Sequence, residues 1–177
     1  MSLIDVYLGL GSNIEREKHL TAGLDALSAL FGNVKCSPVF ESDPVGIRSD
    51  RFLNMAVRVQ TTMPLRELDQ HLKQIEVING RYALPRKGLS LDIDVLLYGQ
   101  QAGEYDNVIL PRAEILTNAF VLWPLAILAP DVLHPVQQRS FVELWHGAHI
   151  DQQLWPVAFV WRDQQLTPPA LLQSCVV

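Results

Sequence analysis

Cysteine is scarce in this chain: Cys36 and Cys175 are its only thiols. Their separation matches neither a disulfide framework nor the close spacing of zinc ligands, so both read as free thiols in a reducing compartment. A basic excess is missing too. Fourteen Lys and Arg stand against 19 Asp and Glu, a formal net charge of −5. That balance sets aside duplex nucleic acid, which demands clustered cations along many phosphates, whereas a small anionic ligand needs only a few. No apolar run reaches membrane-spanning length, and the first residues lack the basic stretch and apolar core of a signal peptide. The expectation is a soluble, cytoplasmic protein with no membrane partner. Internal repeats and low-complexity tracts are absent as well. A chain of 177 residues, 49% of them hydrophobic, buries one core but is short for two, so residues 1–177 read as a single domain.

What is present falls into alternating elements. Residues 3–10 are rich in Leu, Ile, Val and Tyr and stop at Gly11-Ser12-Asn13, a strand ending in a turn. Leu20, Leu24, Leu27 and Leu30 then recur at helical spacing, and Gly32-Asn33 closes the helix. A short β-like run at 34–40 precedes a loop at 41–51 holding Pro44 and Gly46. Over residues 52–62, Leu53, Met55, Val57 and Val59 alternate with Asn54, Arg58 and Gln60, the pattern of a half-buried strand. Pro64 opens a second helix that runs through Leu68, Leu72 and Ile75 towards Gly80. Strands follow at 91–98 and 108–110, and a helix at 118–128. The tail from Val136 shows no trustworthy period. The order β-α-β-β-α-β is α+β and ferredoxin-like: an antiparallel sheet with helices on one face, here with C-terminal additions.

Within the strand at 91–98, side chains alternate between faces. Leu91, Ile93, Val95 and Leu97 are expected on one face and Asp92 and Asp94 together on the other. Two like charges on one strand face repel unless a cation lies between them. Mg²⁺ is typically held by one or two carboxylates together with substrate phosphate oxygens and water. A solvated, exposed strand face is the alternative for so short a motif.

Six segments in register carry a resemblance. They are Tyr7-Leu8-Gly9-Leu10-Gly11-Ser12-Asn13; Ser42-Asp43-Pro44-Val45-Gly46; Phe52-Leu53-Asn54; Ile75-Glu76 with Gly80-Arg81; Leu91-Asp92-Ile93-Asp94 through Tyr98-Gly99; and Ala119-Phe120-Val121-Leu122-Trp123-Pro124-Leu125. Together they resemble 6-hydroxymethyl-7,8-dihydropterin pyrophosphokinase, an enzyme of folate synthesis. The resemblance covers residues 1–135 as a pyrophosphokinase-like core and leaves 136–177 as an extension of unassigned role. It implies a ferredoxin-like fold and transfer of diphosphate from ATP to the pterin, releasing AMP. It implies Asp92 and Asp94 as ligands of two Mg²⁺ ions held with ATP. It further implies Phe52 and Phe120 as stacking faces, Asn54 as reader of the ring edge, and Ser42, Pro44 and Val45 as the loop closing the pterin pocket. Glu76 and Arg81 fall near the nucleotide.

The sequence also departs from that pattern. Ahead of the acidic strand it reads Pro85-Arg86-Lys87-Gly88-Leu89-Ser90, with Leu89 where the family carries an arginine. Arg112 replaces a histidine, and Asn118 stands where an arginine precedes the stacking Phe120. A transferring diphosphate needs cationic donors, and Arg81, Arg86, Lys87 and Arg112 are the candidates to supply them. Three readings follow: an active pyrophosphokinase using those cations; a diverged pterin- or nucleotide-binding relative with weak or altered transfer; and a ferredoxin-like nucleic-acid binder, which the acidic balance opposes.

Overall fold

The computed structural model describes residues 2–43, 50–81 and 88–173. The chain opens with β1 (Ile4–Ser12), α1 (Arg16–Phe31), β2 (Lys35–Cys36), β3 (Val39–Ser42), β4 (Phe52–Thr61), α2 (Leu65–Ile78) and β5 (Asp92–Tyr98). These strands pair antiparallel in the order β5-β1-β4-β3, with β2 also beside β4. The ferredoxin-like order is present, but its second strand is split at Ser37-Pro38. Pro38 has no N–H to donate; the Ala56 N–H donates to Ser37 Oγ at 2.8 Å instead, which carries the ladder across the break. β1 runs two residues past its expected end at Leu10.

Alternation along the strands builds two apolar layers. α1 and α2 cover the first, where Leu8, Met55 and Ile93 meet Leu20, Leu24 and Leu72. On α1 the helix ends at Gly32, whose φ of 81° suits glycine and whose N–H donates to Ser28. After β5 comes a hairpin of β6 (Gly103–Tyr105) and β7 (Val108–Leu110), turning at Asp106 and Asn107, both with positive φ. Next, α3 (Ala119–Leu128) and α4 (Phe141–Gly147) lie on the second layer, packing Leu122, Leu125 and Phe141 against Tyr7, Ala56 and Leu97. The two helices of the core motif thus share one face, and the C-terminal additions bring helices to the other.

β5 breaks strict alternation. Leu8 pairs with Val95 but Tyr7 pairs with Leu97, leaving Leu96 as an extra residue, the signature of a β-bulge. Leu97 therefore joins the second layer and Tyr98 the first, correcting the expectation that Leu97 shares a face with Ile93 and Val95. The bulge lies beyond Asp94, so the acidic pair keeps its shared face.

The tail adds β8 (Leu154–Val157), paired antiparallel with β3, then β9 (Val160–Trp161), β10 (Gln164–Gln165) and the short α5 (Pro169–Gln173). Phe159 and Trp161 join the first apolar layer, and Trp161 Nε1 donates to Asp25 of α1 at 3.0 Å. Among the described residues no helix is long and apolar enough to cross a membrane.

Candidate active site

Two glycines set the floor of the site. Gly9 and Gly11 of β1 lie opposite Asp94 and Asp92 of β5, and Gly11 also lies opposite Asn54 of β4. A Cβ on Gly11 would sit 3.2 Å from Asn54 Oδ1 and 3.9 Å from a Phe52 ring carbon, so glycine keeps the space between those side chains open. The result is a cleft of about 870 Å³ on the second face of the sheet, within the usual range for small-molecule sites.

One wall is charged. Asp92 Oδ1 accepts from Arg81 Nη1 at 2.8 Å, and the same nitrogen donates to Glu76 Oε2 and to the Leu91 carbonyl, each at 3.1 Å. Asp94 lies 3.4 Å from Arg112 Nη2, and Arg112 Nε lies 3.2 Å from Glu114. Burial pushes Asp94 up to about 7, with the charge of Asp92 adding to the rise and Arg112 opposing it. Burial likewise pushes Glu76 up to about 7; its bond from the Ile93 N–H and the Arg81 charge oppose the rise, and Asp92 reinforces it. Four carboxylates surround two guanidiniums here, a balance that a divalent cation relieves. Among the described residues no three His, Cys, Asp or Glu side chains gather into a metal cage. Two carboxylates opening on a roomy cleft instead suit Mg²⁺, which takes much of its shell from water and phosphate.

The opposite wall is aromatic and amide-bearing. Phe52 and Phe120 both line the cleft, Phe52 from the start of β4 and Phe120 from the first turn of α3. Asn54 Nδ2 donates to Ser42 Oγ at 2.7 Å, which fixes the amide and leaves Oδ1 towards Gly11. Asn13 closes the end of the floor: its N–H donates to the Leu89 carbonyl at 2.9 Å and its Oδ1 accepts from the Leu89 N–H at 2.7 Å. That pairing anchors the chain just before Asp92. Gly88, with φ of 137°, permits it, because a Cβ there would lie 2.6 Å from Asn13 Oδ1.

Ser42, Phe52, Asn54, Arg81, Asp92, Asp94, Arg112 and Phe120, all expected from sequence, therefore line one cleft. Glu76 does not line it: its carboxylate is buried behind Asp92 and accepts from the Ile93 N–H at 2.9 Å. Ile93 is on an outer strand of the sheet, so Glu76 caps an edge donor and supports Arg81. Pro44, Val45, Arg86 and Lys87 lie outside the described residues. Sequence reasoning missed Glu114 and the role of Gly9. A signal for Gly9 existed, since Gly9-Leu10-Gly11 has the same period of two as Asp92-Ile93-Asp94.

The sequence profile of the family 7,8-dihydro-6-hydroxymethylpterin-pyrophosphokinase (HPPK) matches residues 7–130. The 2-amino-4-hydroxy-6-hydroxymethyldihydropteridine pyrophosphokinase of Pseudomonas aeruginosa is 38% identical over 135 residues, covering 73% of this chain and 83% of that protein. The Bacillus subtilis protein of the same name is 37% identical over 131 residues, covering 71% and 78%. In structure, the Plasmodium falciparum HPPK-DHPS wild type with pteroate has the same fold, with a TM-score of 0.70 at 12% identity over 93% of this chain. This chain covers 49% of that larger one. From the extent of the profile match and the identity to these relatives, the chain belongs to the 7,8-dihydro-6-hydroxymethylpterin-pyrophosphokinase family.

Proposed function

We propose that this chain is an ATP-dependent diphosphotransferase of folate biosynthesis that moves diphosphate from ATP to 6-hydroxymethyl-7,8-dihydropterin, giving the pterin diphosphate and AMP. The observation that carries this reading is a single cleft with a charged wall at Asp92 and Asp94 facing an aromatic, amide-bearing wall at Phe52, Asn54 and Phe120. A flat heteroaromatic ring suits the second wall, and a metal-bound polyphosphate suits the first.

In this reading Phe52 and Phe120 sandwich the pterin. Asn54, held by Ser42, turns its Oδ1 to the N–H edge of the ring, and Pro44 and Val45 close the pocket. Asp92 and Asp94 hold two Mg²⁺ ions with the triphosphate. Bound there, the metal neutralises phosphate charge and aligns the phosphorus for in-line attack. Arg81 and Arg112 already border both carboxylates and turn to phosphate oxygens when ATP arrives, joined by Arg86 and Lys87. Much of the rate then comes from holding the pterin hydroxyl and the β-phosphorus in line.

The test is direct: incubate the protein with ATP, Mg²⁺ and the hydroxymethyl-dihydropterin, then quantify AMP and pterin diphosphate. Pterin-dependent AMP well above a metal-free control is expected. Its absence overturns the transferase reading and favours a diverged binding protein, the alternative that Leu89 and Asn118 motivate by standing where the family carries arginines.

A further inference from the structure

We infer that Gln152, in the tail segment before β8, is a positioning residue for ATP: it turns the amide of Asn118 so that its NH₂ faces the triphosphate. This rests on the transferase reading above. A backbone N–H can only donate, so the 2.7 Å bond from the Ala119 N–H fixes Gln152 Oε1 at the start of α3. That leaves Gln152 Nε2 for Asn118, whose Oδ1 it meets at 3.4 Å. Thr117 Oγ1 donates to the same oxygen at 3.5 Å. With its oxygen engaged by two donors, Asn118 has its NH₂ left for the cleft, which it lines together with Arg112 and Asp94.

Local chemistry alone would do otherwise. Asn is among the best N-cap residues, accepting from the first free N–H groups of a helix. Asn118 occupies the N-cap of α3 yet makes no such bond. Gln152, 34 residues downstream, takes the Ala119 N–H, and its Nε2 engages the Asn118 oxygen that would otherwise cap the N–H of Phe120 or Val121. The cleft thereby gains a neutral pair of N–H donors on the lining that holds Arg112 and Asp94.

Gln152→Glu is the discriminating variant. It keeps an acceptor for the Ala119 N–H but removes the donor, so Asn118 must reverse its amide, giving NH₂ to Glu and its oxygen to the cleft. KM for Mg-ATP is expected to rise about 10-fold, the worth of a hydrogen bond to a charged group, with KM for the pterin and Tm near those of the parent. Gln152→Met, which adds no charge, is expected to raise KM for ATP similarly while lowering Tm. In an Asn118→Ala background, Gln152→Glu should change KM for ATP less than about twofold, because the coupled pair is already broken. An equal rise with and without Asn118, or parent-like KM for ATP in both position-152 variants, overturns the inference. Affinity for a non-hydrolysable ATP analogue, measured by calorimetry across the same set, reads the Gln152 effect even in a parent that makes no pterin-dependent AMP. Failure of the transferase reading is thus distinguishable from failure of this one.

Discussion

Arg81 Nη1 lies 2.8 Å from Asp92 Oδ1 and 3.1 Å from Glu76 Oε2, so one guanidinium ties the wall of the cleft to the helix behind it. Arg112 bridges Asp94 and Glu114 in the same way. Each aspartate of the pair therefore carries its own arginine. On the proposed reading, a metal-bound polyphosphate entering the cleft would offer the carboxylates a cation and the arginines an anion at once, exchanging one set of charge-assisted bonds for another.

If Asp92 and Asp94 hold the metal, neutralising either must stop transfer without emptying the pterin slot. Asp92→Asn and Asp94→Asn are each expected to lower kcat by at least about 10² to 10³, the scale for losing one group that stabilises developing charge. Pterin affinity, followed by fluorescence titration, should change little. Turnover within a few-fold of the parent in either variant removes the metal assignment.

Asp94 and its neighbour Glu76 make stability depend on pH when no metal is present. Glu76 and Asp94 are both pushed up to about 7 from ordinary values of 4.5 and 3.8. The folded chain binds their protons more tightly than the unfolded chain does. Their contribution is therefore complete below about pH 4 and is lost as pH rises through 7. In EDTA, Tm is expected to fall between pH 5 and pH 8. After solvent screening each group is worth on the order of 1 kcal/mol, and each kcal/mol moves Tm by about 2 to 4 °C. Asp94→Asn should flatten the slope, and Mg-ATP should restore stability at pH 8. An equal slope in parent and Asp94→Asn would show that the carboxylate is already relieved of its neighbours.

The pterin slot is tested from its floor and its roof. Gly11→Ala places a methyl 3.2 Å from Asn54 Oδ1, so the amide must shift by a few tenths of an ångström. The backbone of Gly11 is ordinary strand, so Tm should hold while KM for the pterin rises. Phe120→Ala should weaken pterin binding by about 0.5 to 1.5 kcal/mol plus the lost burial, with the affinity for an ATP analogue kept. Calorimetry with the pterin alone reads both. Unchanged pterin affinity in the two variants would move the ring out of this slot.

Strand periodicity made most of the site legible: Asp92 and Asp94 share a face because residues two apart do, and Phe52 and Asn54 share theirs for the same reason. What it missed depends on partners far away in sequence. Leu97 changes face because Leu96 is bulged against Tyr7 and Leu8, a misfit between two strands that neither encodes alone. Glu76 looked like a helix-end charge near a nucleotide, yet its geometry answers to the outer edge of β5. The tail defied periodicity because its strands are two to four residues long and its aromatics serve different neighbours. Trp155 Nε1 donates to Glu41 beneath the Arg51 guanidinium, Trp145 stacks on Trp123 with centroids 5.2 Å apart, and Trp161 reaches Asp25.

Those tail contacts argue that residues after β8 stabilise the fold and leave the chemistry alone. The N–H of Val39 donates to Thr167 Oγ1 at 3.0 Å in a fully buried setting. Thr167→Val keeps the shape but orphans that N–H, at a cost of about 1 to 3 kcal/mol. Tm is expected to drop by about 2 to 4 °C per kcal/mol, with kcat and both KM values unchanged, since neither residue lines the cleft. Deleting residues 158–177 removes Phe159 and Trp161 from the apolar layer as well, each worth roughly 1.5 to 3 kcal/mol of burial. Their sum is comparable with the whole stability of many domains, so the truncated chain should unfold at much lower denaturant. A truncated chain with the parent's denaturation midpoint would instead make the extension a separate appendage, and Val39 would then have to find its partner in water.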